Sequence, residues 1–196
     1  MGKNKHLSEI ELLFRKSPIV SASSIKKIIR KNKKNSTYYK QLIRNLIAKN
    51  RIKKLAKGHY TAYDNISLAV FCFKPAYFGL QDALSFHDLW EQESIPIILT
   101  SRKIRPGARK IMNSRVLVRR IDKKYFFGFE YNKEGDFFLP YSDIEKTFID
   151  MVYFNENLSM EAIENIKKRV NRKKLEFYLK KYPKKIRKRV LGMIDN

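Results

Sequence analysis

The first 63 residues carry three apolar stripes at helical spacing and then switch to the pattern of short strands. Between Leu7 and Lys16, Ile10, Leu13 and Phe14 fall at i, i+3 and i+4, one face of a helix. Ser17-Pro18 breaks the chain, since the residue before a proline is pushed out of helical geometry. After Ser21 the stripe returns as Ile25, Ile28 and Ile29, with Lys26, Lys27, Arg30 and Lys31 opposite. Asn32-Lys33-Lys34 is a polar turn, and Asn35 or Ser36 can cap a third helix. Tyr39, Leu42, Ile43 and Leu46 form the apolar face of that helix. Beyond Asn50, the β-like runs Ile52–Ala56 and His59–Tyr63 flank Lys57-Gly58, a hairpin signal. A helix, a helix–turn–helix and a basic hairpin in that order predict a winged helix-turn-helix.

Charge narrows the partners. Of 196 residues, 43 are Lys or Arg and 19 Asp or Glu, a net charge of +24 that attracts polyanions. A bias toward Lys, Ile, Asn, Phe and Tyr, as an AT-rich genome produces, supplies part of this excess. Residues 1–64 carry 17 basic and 3 acidic side chains, and residues 161–196 carry 13 and 4. Between them 13 basic residues nearly balance 12 acidic ones, although residues 102–124 hold ten Lys or Arg and only Asp122 as an acid. On the third helix Thr37, Lys40, Gln41, Arg44 and Ala48 project opposite the apolar face. A helix fits the major groove, where Gln41 can pair bidentately with adenine and Arg44 with guanine. Lys53, Lys54, Lys57 and His59 on the hairpin are placed to meet phosphates. The alternative for the same residues is an ordinary solvated helix face.

The remainder predicts a small mixed α/β domain ending in basic helices. The expected division lies near Tyr63-Asp64-Asn65, giving domains 1–64 and 65–196 and an α+β chain overall. A helical face runs from Leu80 to Leu89, strands over Ile95–Ser101 and Arg115–Ile121 flank a basic loop Arg102–Asn113, and Tyr125–Glu130 and Gly135–Leu139 form two more strands around Asn132–Glu134. Ser142, with Glu145 three positions on, reads as the capping box of a helix bearing Phe148, Ile149, Val152 and Tyr153. Leu175, Tyr178, Leu179 and Tyr182 make a further stripe, and Pro183 opens a last helix with Ile186, Val190, Met193 and Ile194. The basic residues of these helices fit a second nucleic-acid surface or a solvated face equally.

Catalytic patterns are sparse. His87 has no other histidine near it in sequence, and a packed or hydrogen-bonded role is favoured. Asp122-Lys123-Lys124 matches the Asp-x-Lys half of a metal-dependent nuclease, but no acid occurs from Ser94 to Ile121 to share the ion. Glu145 and Asp150, five apart, fall on different faces of a helix. No phosphate-cradling glycine loop or nucleophile elbow is present. The single cysteine, Cys72, sits in the apolar run Leu68–Phe73 and reads as a buried small hydrophobe. No enzyme activity, cofactor or metal site is therefore expected. With no apolar stretch of membrane-spanning length and no secretory leader, the expected location is cytoplasmic, away from membranes.

The order of motifs resembles the AbiEi family of antitoxins and defence-associated transcriptional regulators. In that family a leucine-rich helix precedes a basic Gly-Tyr hairpin, as Leu42–Leu46 precedes Ile52-Lys53-Lys54-Leu55-Ala56-Lys57-Gly58-His59-Tyr60 here. Asp82-Ala83-Leu84-Ser85-Phe86-His87-Asp88-Leu89 is similar to a Ser-Ala-Leu-x-x-His-Gly-Leu element, with Asp88 in place of the glycine. Thr100-Ser101-Arg102-Lys103 and Phe127-Gly128-Phe129 match a strand ending in threonine and an aromatic-Gly-aromatic strand. Glu145-Lys146-Thr147-Phe148-Ile149-Asp150 resembles the Glu-Lys-Ala-Leu-Leu-Asp helix start, with Asp143-Ile144 where Ser-Pro would stand. The resemblance spans about residues 20–192. It implies a repressor that binds inverted repeats at its own promoter, with a homodimer on DNA as the matching assembly, in an operon that also encodes a nucleotidyltransferase-like toxin. A stand-alone winged-helix regulator, a nucleic-acid-processing enzyme and an RNA-binding module are the other readings.

Overall fold

A computed structural model describes residues 5–30, 38–92 and 94–195. The chain is a mixed α+β protein with helices at both ends. It divides into two compact units, residues 1–72 with 110–114, and residues 73–109 with 115–196. The division falls past the Tyr63–Asn65 turn, beyond most of a 3-10 helix, Ile66–Phe73, in which Leu68, Ala69 and Val70 are fully buried.

In the first unit α1 (Lys5–Lys16) buries Ile10 and Phe14 and ends on Arg15 and Lys16, whose charge suits the carbonyl end of the helix dipole. A short strand β1 (Val20–Ser21) follows, which the Ser17-Pro18 break concealed in the sequence. Ser21 Oγ then accepts the Ser24 N–H at 3.0 Å, so it caps α2 (Ala22–Arg30). The third helix, α3 (Tyr38–Ala48), buries Ile43 and Leu46. Its proposed caps, Asn35 and Ser36, lie outside the described residues. Its end is well defined. Asn50 adopts φ 53°, its N–H reaches the Ile47 carbonyl at 2.9 Å and the Arg51 N–H reaches that of Leu46 at 2.9 Å, a left-handed stop that asparagine tolerates.

Strands β2 (Lys53–Ala56) and β3 (His59–Thr61) form the hairpin about Gly58, φ +76°. With β1 they make an antiparallel sheet of order β1-β3-β2, in which Val20 opposes Tyr60 and Lys54 opposes Tyr60 from the other side. Ile10, Phe14, Val20, Ile25, Ile29, Ile43, Leu46 and Ile52 close one core from all three helices and the strands.

The second unit is built on a six-stranded sheet. Its strands are β4 (Ala76–Phe78), β5 (Ile97–Thr100), β6 (Gly107–Ile111), β7 (Ser114–Arg120), β8 (Phe129–Glu134) and β9 (Phe137–Ser142), in the order β6-β7-β5-β4-β9-β8. β4 runs antiparallel to β5 and parallel to β9, and β5 runs parallel to β7. The helices are α4 (Gln81–Phe86), α5 (Ile144–Tyr153), α6 (Met160–Arg169), α7 (Arg172–Leu179) and α8 (Lys184–Asp195). Residues Glu145 through Val152 of α5 are all buried, so this helix is enclosed on every side.

Several local expectations are corrected. The basic segment Arg102–Asn113 is not all loop, because β6 forms within it. Tyr125–Glu130 is not one strand. A 3-10 turn at Lys123–Tyr125 and Gly128 at φ +69° interrupt it, and β8 starts at Phe129. The hairpin then turns at Gly135-Asp136 and not at Asn132–Glu134. β4 was missed because Ala76, Tyr77 and Phe78 are all buried, which erases the alternation that marks a half-exposed strand. The cap of α5 is Asp143, which accepts the Lys146 N–H at 2.8 Å, while Glu145 accepts the Asn171 N–H at 2.7 Å.

Gly128 gives a direct test of this packing. A Cβ there would lie 2.9 Å from Lys146 Cβ and 3.0 Å from the Tyr178 ring, on a backbone that disfavours side chains. Gly128→Ala is expected to lower stability by about 2 kcal/mol, from crowding and left-handed strain together. Gly135→Ala, at φ +58° with nothing within 4 Å, should cost only the strain part. Urea titrations of both variants measure the difference.

Candidate nucleic-acid interface

Lys40, Gln41 and Arg44 lie along the exposed face of α3, opposite buried Ile43 and Leu46. Asn45, not singled out from sequence, is exposed beside Arg44. Among the described residues, none of these three polar side chains is tied up in an ion pair or hydrogen bond within the chain. Thr37, the fourth residue expected on this face, lies outside the described residues. Lys26 on α2 sits 5.5 Å from the centre of the Tyr39 ring, a contact that holds this charge against the start of α3.

The four hairpin residues are not equivalent. Lys54 and Lys57 are exposed, at the strand and at the turn. Lys53 is instead engaged by Asp64 at 2.6 Å, and His59 Nδ1 lies 3.2 Å from the Lys57 carbonyl, folded back on its own turn. Arg51, just after α3, pairs with Glu11 of α1 at 2.6 Å.

Much of the positive charge of the second unit is likewise committed. Arg119 pairs with Glu156 and lies over the Phe154 ring. Arg109 donates to the Arg105 carbonyl at 2.6 Å. Arg172 binds Glu176 and Asp195, both at 2.7 Å, and Lys174 spans Asp143 and Glu145 at 3.1 and 3.3 Å. Arg187 donates to the Tyr182 carbonyl and Arg189 to Asn155, each at 2.7 Å. Lys180, Lys181, Lys184, Lys185 and Lys188 remain exposed.

The residues considered for catalysis have structural surroundings. The His87 Nε2 lies 2.7 Å from the Ser142 carbonyl, which fits a hydrogen-bonded role for this histidine. Cys72 is buried, and burial pushes its thiol up to about 12, away from the reactive thiolate. Asp122 is exposed at the start of the 3-10 turn, and no cluster of three metal-ligating side chains occurs among the described residues.

The charged pair that sequence reading overlooked is Lys146 with Asp150, four apart on α5. Both are fully buried and ion-paired, and the Tyr77 hydroxyl donates to the second carboxylate oxygen at 2.8 Å. The rings of Tyr77, Phe127 and Tyr182 surround the ammonium at 5.5, 5.4 and 6.0 Å. Burial raises the Asp150 carboxyl and lowers the Lys146 ammonium, each opposed by the partner's charge. The signal available in sequence was a Lys-x-x-x-Asp spacing inside an otherwise apolar helix. The pair is closed to solvent, and the groups that meet it come from β4, from Phe127 and from Tyr182.

Against known proteins, no family model matches this chain and no curated protein matches it. A solved structure that does match is the RV2827C protein from Mycobacterium tuberculosis, at a TM-score of 0.63 and 12% identity. The match covers 97% of this chain and 76% of that one. At this identity the likeness establishes a shared fold.

Removing one member of the buried pair should be costly. Lys146→Ala or Asp150→Ala is expected to lower stability by about 3–5 kcal/mol, since each strands an unpaired buried charge. The double replacement Lys146→Met/Asp150→Leu should cost well under the sum. Chemical denaturation of the three variants provides the comparison.

Proposed function

We propose that the first unit is a winged helix-turn-helix that binds duplex DNA, and that the protein is an antitoxin and autorepressor of a toxin–antitoxin operon. In this reading α2 and α3 are the helix–turn–helix, α3 enters the major groove and the β2–β3 hairpin is the wing. The observation that carries it is the pairing of β1 with β3 and of β3 with β2 beside an α3 face whose Lys40, Gln41 and Arg44 are exposed and uncommitted. In a helix-turn-helix the second helix packs by one face on its own core and turns its polar face to the major groove. The excess of 17 basic over 3 acidic residues in positions 1–64 supplies the attraction to phosphate. The operon partner, a nucleotidyltransferase-like toxin, and an inverted-repeat operator rest on the AbiEi resemblance.

A gel shift on the gene's own upstream region tests the reading. Arg44→Ala and Gln41→Ala should each weaken binding to that site by about 1–3 kcal/mol while lowering affinity for random duplex less. Equal losses on both duplexes would make these residues phosphate contacts instead. If the upstream region binds no better than random duplex, autorepression fails.

The hairpin is tested by salt. Lys54→Ala and Lys57→Ala should each reduce the slope of log K against log salt by about 0.9. Lys53→Ala should reduce it less, because Asp64 already neutralises that ammonium. A slope that instead follows Lys180, Lys181, Lys184 and Lys185 would move the DNA surface to the other end of the chain.

A further inference from the structure

The β8–β9 hairpin departs from the rest of the protein in charge, in exposure and in pairing. β8 is the terminal strand of its sheet, so no strand among the described residues pairs with its outer side. β9 opposes β4 only at Tyr141 and Phe78, while β8 and β9 oppose each other over six residue pairs, from Phe129 and Ser142 to Glu134 and Phe137. The far half of the hairpin therefore extends past β4 as a two-stranded ribbon. Such a ribbon is marginal in water unless a third strand or a packed face supports it.

The near half has that support. Phe129 stacks on Tyr77 at 5.2 Å and Tyr141 on Phe86 at 4.0 Å. The far half does not, on one of its faces. Tyr131 opposes Pro140 and Lys133 opposes Phe138, and residues two apart or directly opposed share a face. Tyr131 and Phe138 thus lie on the same side, and they are 57% and 61% exposed. Edge strands are ordinarily kept from wrong pairing by charged side chains, lysine above all, and by prolines or bulges. The charge on β8 is mainly acidic, Glu130 and Glu134 with Lys133 between them, and Asp136 follows in the turn. Glu130 and Asp136 are exposed, and Glu134 accepts the Tyr141 hydroxyl at 2.6 Å.

We infer that the outer edge of β8 is a docking site for an extended, lysine- or arginine-rich segment of another protein, which adds as a seventh strand. Main-chain hydrogen bonds along β8 supply the register, Glu130, Glu134 and Asp136 attract the basic side chains, and Tyr131 with Phe138 cover the aliphatic ones. The charge selects the occupant. In a chain of net charge +24 this acidic edge repels nucleic acid and attracts cations. A second copy paired symmetrically through β8 would set Glu130 against Glu134 of its partner, which disfavours it. The site belongs to the second unit and does not depend on the DNA-binding reading.

Fluorescence anisotropy with the full chain tests this, using labelled nine-residue peptides of alternating Lys and Val, of alternating Glu and Val, and of Lys and Val interrupted by a central proline. The Lys–Val peptide should bind saturably below about 1 mM, and any binding of the Glu–Val peptide to the basic surface should be untouched by Tyr131→Ser/Phe138→Ser. The proline-interrupted peptide should bind about tenfold more weakly, having lost a ladder donor. Glu130→Lys/Asp136→Lys and Tyr131→Ser/Phe138→Ser, all exposed positions, should each lose about tenfold for the Lys–Val peptide while keeping the wild-type circular dichroism. The uncharged exchange should also keep the wild-type duplex-DNA affinity, and the charge reversal should raise it. Absence of saturable binding, or binding indifferent to both double variants, overturns the proposal. So does a fall in DNA affinity in Tyr131→Ser/Phe138→Ser, which would place the ribbon on the nucleic-acid surface. A wild-type dimer in sedimentation that this variant abolishes would give the edge to a second copy and equally overturn it.

Discussion

The ion pair between Lys146 and Asp150 is the constraint around which the second unit is arranged. A helix enclosed on every side leaves its polar groups no water, so each must find a partner inside the protein. Asp150 finds two, the Lys146 ammonium and the Tyr77 hydroxyl from β4. Lys146 is ringed by aromatic faces from β4, from the approach to β8 and from the turn before α8. Its aliphatic stem passes so close to residue 128 that only glycine fits there. Strand, loop and helix positions far apart in sequence are thereby fixed to one side chain. The same enclosure draws Glu145 to the backbone of Asn171 and Asp143 to Tyr178 and Lys174, so the start of α7 is held by acids at the start of α5.

The first unit was largely legible in sequence because each helix has one wet face. Ile25 and Ile29 against Lys26 and Lys27, or Ile43 and Leu46 against Lys40 and Arg44, state the period directly. What could not be read there was β1, whose two residues are too short to show any alternation. The second unit was harder for the opposite reason. Ala76–Phe78 is buried on all sides, so no apolar alternation survives to mark it, whereas α5 was legible from Phe148, Ile149, Val152 and Tyr153 but its burial on every side was not. Ser142 was a sound choice of cap by residue type, yet its hydroxyl meets Thr147 and the Phe78 carbonyl, leaving the cap to Asp143. On the candidate interface, sequence placed Lys40, Gln41 and Arg44 on the open side of α3. It had no means of telling Lys53 from Lys54, because the difference is a distant carboxylate, Asp64.

The two ends of the chain are both basic, but the charge is deployed differently. On α3, Lys40 and Arg44 are exposed and enter no ion pair among the described residues. On α7 and α8, Arg172, Lys174, Arg187 and Arg189 are spent on Glu176, Asp195, Asp143, Glu145, a carbonyl and an amide. Net charge per segment therefore overstates how much of the C-terminal excess is available to a partner. The Arg172 pairs, exposed on both sides, contribute little individually to stability.

Ser21 has two attachments. Its backbone opposes His59 in the sheet, and its hydroxyl caps α2 through the Ser24 amide, while the next amide, Ala22, bonds the Gly58 carbonyl at 2.8 Å. The hairpin and the first turn of α2 are thus bolted together at one point, with no hinge between them. Mechanically, a displacement of the hairpin tip cannot be absorbed by the strand alone and is delivered to α2 as a rotation about its N-terminus. The same joint fixes the length of the connection from α1. An insertion between Ser17 and Ser21 would have to bulge outward rather than shift the register of Val20 and Ser21 against β3, so the length of this five-residue stretch is constrained along with its buried Val20 and capping Ser21.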